Sequence, residues 1–369
     1  MSYYKPLEYI VPTEDDGMVL RTILQKRMGI SRKLLSRLKL TEQGITVNGE
    51  RKYIDVKVRA GDRVAARMEM EASDDILPQP LPIDILYEDD ELLVLNKEAG
   101  MIVHPTHGHY TDTLANGVVH YWREKGVSFR FRPVHRLDQE TSGVLAVAKN
   151  PYVHQQISEE MQAHGLKKEY VALVHGVIGS DEGTVDAPID RNPLAPHVRI
   201  VTPTGYPAVT HYRVERRFRE ATLARLWLET GRTHQIRVHM RHLGHPLLGD
   251  KMYGPGGTAD EADKAAAEGR IPEADGSQQW HGASAPLSEG ITVADRSATQ
   301  PQPQAASSVC QAALPAADYA PLGRQALHAC TLGLTHPVTR QWMEFHAPLP
   351  ADMECCIKQL AQSEAAHEA

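Results

Sequence analysis

The chain has 369 residues, room for about two domains at roughly 100–200 residues each, and a hydrophobic content of 41% excludes a wholly disordered protein. Mean hydropathy is −0.39, no apolar run nears the roughly 18 residues of a membrane span, and Met1-Ser2-Tyr3-Tyr4-Lys5 leads into Glu14-Asp15-Asp16, so neither a transmembrane helix nor a secretory leader is expected. The net charge of −7 hides an asymmetry, because residues 17–67 carry 13 Lys and Arg against four acids.

Such a basic stretch suits a polyanion such as nucleic acid, or a merely solvated face, and charge alone does not separate the two. Within it Val19, Leu20, Ile23, Leu24 and Met28 recur at helical spacing, and Gly29 supplies a stop. Ser31 is placed to cap a second helix with Leu34, Leu35 and Leu38 on its apolar face and Arg32, Lys33, Arg37 and Lys39 beside them. Asn48-Gly49 after Ile45-Thr46-Val47 predicts a tight hairpin, because both turn positions need positive φ. Val56-Lys57-Val58 and Arg63-Val64 are expected to close a small sheet. Residues 71–82, with Glu71, Asp74, Asp75, Pro78, Pro80 and Pro82, read as a linker.

A larger domain is expected from residue 83. Residues 92–95 and 144–147 read as buried strands, and Asn150-Pro151 places an N-cap and an N1 proline before a helix ending at Gly165. Residues 170–174 and 223–228 add strands, and the mixture predicts an α/β or α+β domain. Residues 255–322 hold 17 Ala and seven Pro with few large apolar side chains. They are expected to form a disordered Ala/Pro-rich acidic insertion, with at most a short helix near residues 261–268, since little burial would offset the entropy of ordering. Cys310, Cys330, Cys355 and Cys356 show no C-x-x-C spacing, which argues against a disulfide scaffold or zinc ribbon and fits a cytoplasmic protein with reduced thiols.

The most informative stretch is His135-Arg136-Leu137-Asp138-Gln139-Glu140-Thr141-Ser142-Gly143. By itself it reads either as a ligand site at a strand entrance or as a turn capped by Asp138. It resembles the H-R-L-D-x-x-T-S-G signature of the RluA-type pseudouridine synthases. Gly231-Arg232-Thr233-His234-Gln235-Ile236-Arg237-Val238-His239 is similar to that family's G-R-T-H-Q-I-R-V-H segment, and Lys168-Glu169-Tyr170-Val171-Ala172 to its K-x-Y-x-A strand. Leu95-Asn96-Lys97 through His104-Pro105, and Leu327-His328-Ala329 through Ala347-Pro348-Leu349-Pro350, match its first and last motifs, so five segments fall in family order over residues 83–352. Glu98 stands where the family commonly has proline. Residues 17–70 resemble the S4 RNA-binding domain.

The resemblance implies an α+β chain, an S4 domain at 17–70 followed by a pseudouridine synthase domain at 83–352 with a large mixed, mainly antiparallel sheet. It implies isomerisation of uridine within RNA, most readily large-subunit ribosomal RNA with transfer RNA as the other candidate, by a monomer needing no cofactor or metal. Asp138 corresponds to the essential acid, which could attack C1′, stabilise positive charge on the sugar, or remove the 2′ proton. Arg237 corresponds to its arginine partner, on a helix expected to start with Thr233 as N-cap, and Tyr170 to the tyrosine that stacks on the target base. Arg136 corresponds to the arginine that fills the gap left by a flipped nucleotide. His135, Thr141, Ile236 and Lys97 are expected among the substrate contacts, and Arg32, Lys33, Arg37 and Lys39 as the RNA-binding cations of the S4 domain. Other readings stay open: a core role for Tyr170, a phosphate clamp for Arg237, and a non-catalytic RNA-binding or ribosome-assembly factor retaining the fold. His239, His242 and His245, three residues apart, raise a zinc-dependent hydrolase as a further alternative.

Overall fold

A computed structural model of the chain describes residues 3–261 and 322–368. Four antiparallel strands, β1 (Leu7–Ile10), β2 (Ile45–Val47), β3 (Glu50–Arg51) and β4 (Arg63–Ala66), form an N-terminal sheet in the order β1-β4-β2-β3. Asn48 (φ 51°) and Gly49 (φ 84°) turn the chain between β2 and β3. Helix α1 (Leu20–Thr22) continues through a wider turn over Ile23–Arg27, and Gly29 at φ 67° ends it. Helix α2 (Arg32–Leu40) begins where the Ser31 hydroxyl accepts the Leu34 N–H at 3.2 Å. Two details differ from the sequence reading. The sheet takes in β1, ahead of residue 17, and residues 56–58 form no strand, Lys57 making a lone bridge to Val19.

Residues 71–82 are no free tether. Ile76 is buried, the Ser73 hydroxyl accepts the Phe131 N–H at 2.8 Å, and Glu71 meets Arg37, Arg130 and Arg132.

The second sheet has nine strands in the order β5-β6-β7-β14-β8-β13-β12-β9, with β15 added to β14. These are β5 (Asp84–Glu88), β6 (Leu92–Lys97), β7 (Ser142–Ala148), β8 (Lys167–His175), β9 (Glu182–Asp186), β12 (Val209–Arg217), β13 (Ala221–Leu228), β14 (Leu327–Thr335) and β15 (Trp342–His346). The short strands β10 (Ile189–Arg191) and β11 (Arg199–Val201) make a separate hairpin. Helices α3 (Leu114–Glu124), α4 (Pro151–Gln162), α5 (Gln235–His242) and α6 (Ala351–Glu368) complete the described elements used below. Asn150 caps α4 through the Val153 N–H, with Pro151 at N1.

Among the described strands the β7–β14 pairing alone is parallel, through His328 opposite Ser142 and Ala329 opposite Gly143. A Cβ at Gly143 (φ +117°) would lie 2.1 Å from the Ala329 carbonyl oxygen, so glycine is what lets β14 close on the start of β7. One apolar cluster runs from α1 and α2 into Tyr152, Val153 and Ile157 of α4. Across the same junction Tyr152 donates to the Met28 carbonyl, and the Gln155 and Gln156 amides donate to the Gly29 carbonyl. The N-terminal unit is thereby seated on α4 through a helix end whose carbonyls need partners.

The insertion expected at 255–322 lies, apart from its ends, outside the described residues, as does the short helix expected near 261–268. The near end is packed: Ala259 is buried and Asp260 pairs with Arg241 at 2.6 Å.

Candidate active site

The Asp138 loop leads into β7, and the carbonyls of Asp138, Gln139 and Glu140 each have a partner. The Asp138 carbonyl accepts the Thr141 N–H at 3.0 Å, that of Gln139 accepts the Gly100 N–H at 2.9 Å and Lys97 Nζ at 2.9 Å, and that of Glu140 accepts Arg324 Nη1 at 3.1 Å. The loop is therefore fixed through its backbone. This leaves the Asp138 side chain, 26% exposed, facing a cavity of about 680 Å³ whose walls include Ile102, His104, Arg136, Arg199 and His234. That volume is within the roughly 300–1,000 Å³ usual for ligand pockets.

Helix α5 supplies the other wall. Gln235 is buried and fully used: its Oε1 accepts the Arg232 N–H at 2.9 Å and its Nε2 donates to the Val209 carbonyl at 2.9 Å, tying the entrance of α5 to β12. Ile236 and Met240 lock the helix into a cluster shared with Leu137, Tyr170 and Leu327. The N-cap is His234, in the left-handed conformation at φ 58° and ψ 18°, and not Thr233. The Thr233 hydroxyl instead accepts Arg136 Nη2 at 2.6 Å.

Arg237 projects from the first turn of α5 and divides its nitrogens between two acids. Nε and Nη2 donate to Asp250 at 2.7 and 2.8 Å, and Nη1 donates to Asp138 Oδ2 at 3.3 Å. Asp250 is itself held by the Met252 and Tyr253 N–H groups at 2.9 and 3.0 Å. Burial works against the Arg237 charge, but the hydrogen bonds and charge of Asp250 outweigh it and raise the guanidinium pKa. Burial likewise pushes Asp250 up, and Arg237 with the two backbone donors brings it below the usual carboxylate range, so the pair stays ionised.

The remaining candidate residues divide by exposure. Arg136 is exposed on the cavity wall. Tyr170 sits on β8 behind the cavity, 8% exposed, and burial followed by the Asp138 charge raises its hydroxyl pKa. Lys97, expected among the substrate contacts, is 1% exposed, and its ammonium donates to the carbonyls of Glu98, Met101 and Gln139, one for each proton. Burial pulls Lys97 down to about 7, opposed by the charges of Glu140 and Asp138. Thr141 is buried too, its hydroxyl accepting from Gln325. His135 turns toward β7, where Nε2 accepts the Ala146 N–H, and burial lowers it to about 4. Ile236 is a core residue beneath the site. Arg32, Lys33 and Lys39 are exposed on α2, while Arg37 pairs with Glu71.

His239 is fully buried with one ring nitrogen against the Thr210 hydroxyl and the other against the Ala187 carbonyl, which removes it from the three-histidine reading. Among the described residues no group of three His, Cys, Asp or Glu could hold a metal ion. Sequence reasoning missed Asp250, Tyr253, His234 and Arg324. The signal for the first two was an acid and an aromatic between glycines, Gly249-Asp250-Lys251-Met252-Tyr253-Gly254.

The RNA pseudouridylate synthase family model matches residues 91–242, and the model of the RluD ribosomal pseudouridine synthase N-terminal domain matches residues 7–64. The chain is 36% identical over 322 residues to the uncharacterized RNA pseudouridine synthase YlyB of Bacillus subtilis (strain 168), covering 86% of each protein. It is 37% identical over 323 residues to ribosomal large subunit pseudouridine synthase D of Escherichia coli (strain K12), covering 86% of this chain and 83% of that one. The counterpart from Vibrio parahaemolyticus is 37% identical over 321 residues, 86% of this chain and 84% of that protein. Similarity of this extent, running through the Asp138 loop, the Tyr170 strand and the Arg237 helix alike, makes the chain a member of the RluA-type RNA pseudouridine synthases, enzymes that isomerise uridine in RNA, with the RluD-like N-terminal domain.

Proposed function

We propose that the substrate is large-subunit ribosomal RNA and that Asp138 carries the reaction. The observation that supports the chemistry is the Asp138 carboxylate facing a nucleotide-sized cavity with a guanidinium locked behind it by Asp250. The reaction breaks the N1–C1′ bond, turns the uracil, and joins C5 to C1′; the C5 proton is released and N1 takes one up, so the product is an isomer. Asp138 lies where a carboxylate meets C1′, whether by attacking it, by stabilising positive charge on the sugar, or by taking the 2′ proton. Arg237 holds Asp138 Oδ2 and so fixes the carboxylate at the cavity.

C1′ and C5 are inaccessible in a stacked helix, so the nucleotide leaves the stack to enter the cavity. Arg136, exposed at the rim, can occupy the vacated space with a planar, always-charged group. Tyr170 offers its ring to the uracil. The N-terminal unit, read as an S4 domain, adds phosphate contacts through Arg32, Lys33 and Lys39. A ribosomal substrate supports a cytoplasmic reaction. Support for the substrate class comes from relatives named ribosomal large subunit pseudouridine synthase D and from the N-terminal family model.

The test is release of tritium from C5-labelled uridine in bulk ribosomal and transfer RNA. Release from the large-subunit RNA is the expected result; release from transfer RNA alone would overturn the substrate class and leave the chemistry standing.

A further inference from the structure

His234 is the one cavity residue whose backbone is left-handed without being glycine or asparagine-like, and its side chain lies beside the catalytic carboxylate. Its Nδ1 is 2.8 Å from the Tyr253 hydroxyl, which also accepts the Arg199 N–H at 2.8 Å. Tyr253 is 1% exposed, so its own proton has no outlet except Nδ1. That accounting assigns the tautomer: Nδ1 accepts, and Nε2 carries the hydrogen. The Nε2 atom lies 4.0 Å from Asp138 Oδ2, too far for a direct hydrogen bond. Burial lowers His234 to about 4, consistent with a neutral ring.

Between them Nε2–H and the carboxylate leave a gap that a single oxygen bridges with ordinary distances of about 2.7–2.9 Å to each. The bridging group must accept from Nε2–H and donate to an acceptor-only carboxylate. A uracil carbonyl only accepts and an N–H only donates; a hydroxyl does both. Within an RNA chain the 3′ and 5′ oxygens are esterified, so the only free hydroxyl of the target nucleotide is the ribose 2′-OH, and the carbon that bears it is bonded to C1′.

We propose that His234 and Asp138 together bind the 2′-hydroxyl of the target uridine, Nε2–H donating to it and the carboxylate accepting from it. The contact fixes C1′ against Asp138 and makes the site selective for a ribonucleotide, with His234 as a substrate-binding residue and Tyr253 as the group that sets its tautomer. A strained backbone at such a position is compensated by the site it builds. The inference rests on the reading of Asp138 as the group that meets C1′.

The experiment compares tritium release under single-turnover conditions from transcripts of ribosomal and transfer RNA carrying either uridine or 2′-deoxyuridine. It is read on whichever RNA the wild type modifies, so an error in substrate class does not enter. His234→Phe keeps a ring with no donor, and His234→Gln keeps an N–H. Each variant's rate is compared on the two sugars, so the intrinsic effect of the missing hydroxyl on bond breaking cancels. On uridine RNA, His234→Phe should lose about tenfold or more, the size of one hydrogen bond at a charged centre. On deoxyuridine RNA it should lose nothing further, while His234→Gln should retain a preference for the ribose. An equal loss by His234→Phe on both sugars would overturn the proposal, because it would assign the residue to packing. So would a His234→Phe enzyme with the full wild-type ribose preference. If Asp138→Asn proved fully active, the reading of Asp138 itself would fall, a separate result from either of these.

Discussion

Asp250 grips Arg237 with two charge-assisted hydrogen bonds, at 2.7 and 2.8 Å, and leaves it one nitrogen, at 3.3 Å, for Asp138. The acid at the cavity is thus oriented by a cation that a second acid, wholly buried, holds in place. An arginine with no such anchor would be free to swing toward an RNA phosphate.

Asp250→Asn keeps the shape and two backbone-accepting positions but removes the charge, so kcat should fall with KM nearly unchanged. Asp250→Ala leaves an uncompensated guanidinium in the interior and should cost about 3–5 kcal/mol of stability. Adding Arg237→Met to Asp250→Ala should recover most of that stability without recovering turnover. Thermal melts and single-turnover rates check both. A fully active Asp250→Ala enzyme would dissociate the Arg237 contact from catalysis.

Much of this site was legible because its chemistry is contiguous in the chain. Asp138 with Arg136, and the segment around Arg237, each form a short run whose residue order is itself the signal. Asp250 was not legible, because its relation to Arg237 exists only after the chain leaves α5 and returns with Gly249 at φ 70° to bring the carboxylate under the helix. The same holds for Lys97: its position in a motif drew it toward the substrate, yet three carbonyls turned inward by the loop claim its ammonium. Strand β1 escaped notice because four residues gain strand structure only by pairing with β4, more than 50 residues on. The cap of α5 was misplaced by one residue because a left-handed backbone at His234 cannot be read from the propensity of a non-glycine.

The exposed cations of α2 have a salt signature. Arg32→Ala with Lys33→Ala should raise KM for large RNA, leave kcat intact, and flatten the dependence of log K on log salt by about 1.4–1.8, the contribution of two neutralised phosphates at roughly 0.7–0.9 each. Binding titrations at several salt concentrations check it. An unchanged slope would take these side chains off the RNA.

Acid should destabilise the fold in a defined window. Burial holds His135 and His234 at about 4 in the folded chain, whereas in the unfolded chain both return to about 6.5. Between those values the unfolded state binds more protons, so stability is complete above about 6.5 and is lost as pH falls toward 4, by at most about 1.4 kcal/mol per pH unit for each histidine. His135→Gln, whose amide oxygen can still accept the Ala146 N–H, should flatten the profile. Denaturant melts from pH 7 to pH 4 check the slope, and a flat wild-type profile would contradict the assignment.

Tyr170 separates stacking from proton transfer. Burial and the Asp138 charge hold its hydroxyl protonated, a poor state for a base. Tyr170→Phe should accordingly lose less than the roughly 10²–10⁴-fold that general acid–base catalysis contributes, and Tyr170→Ala should lose more. A Tyr170→Phe loss at the upper end of that range would assign the C5 proton to the hydroxyl.

The measurement closest to the centre of the account is tritium release from C5-labelled large-subunit ribosomal RNA by Asp138→Asn beside the wild type, with matched thermal melts. Asparagine preserves the loop, whose backbone partners hold it independently of the side chain. The account predicts release by the wild type and none by a folded Asp138→Asn. Release at the wild-type rate by that variant would contradict it.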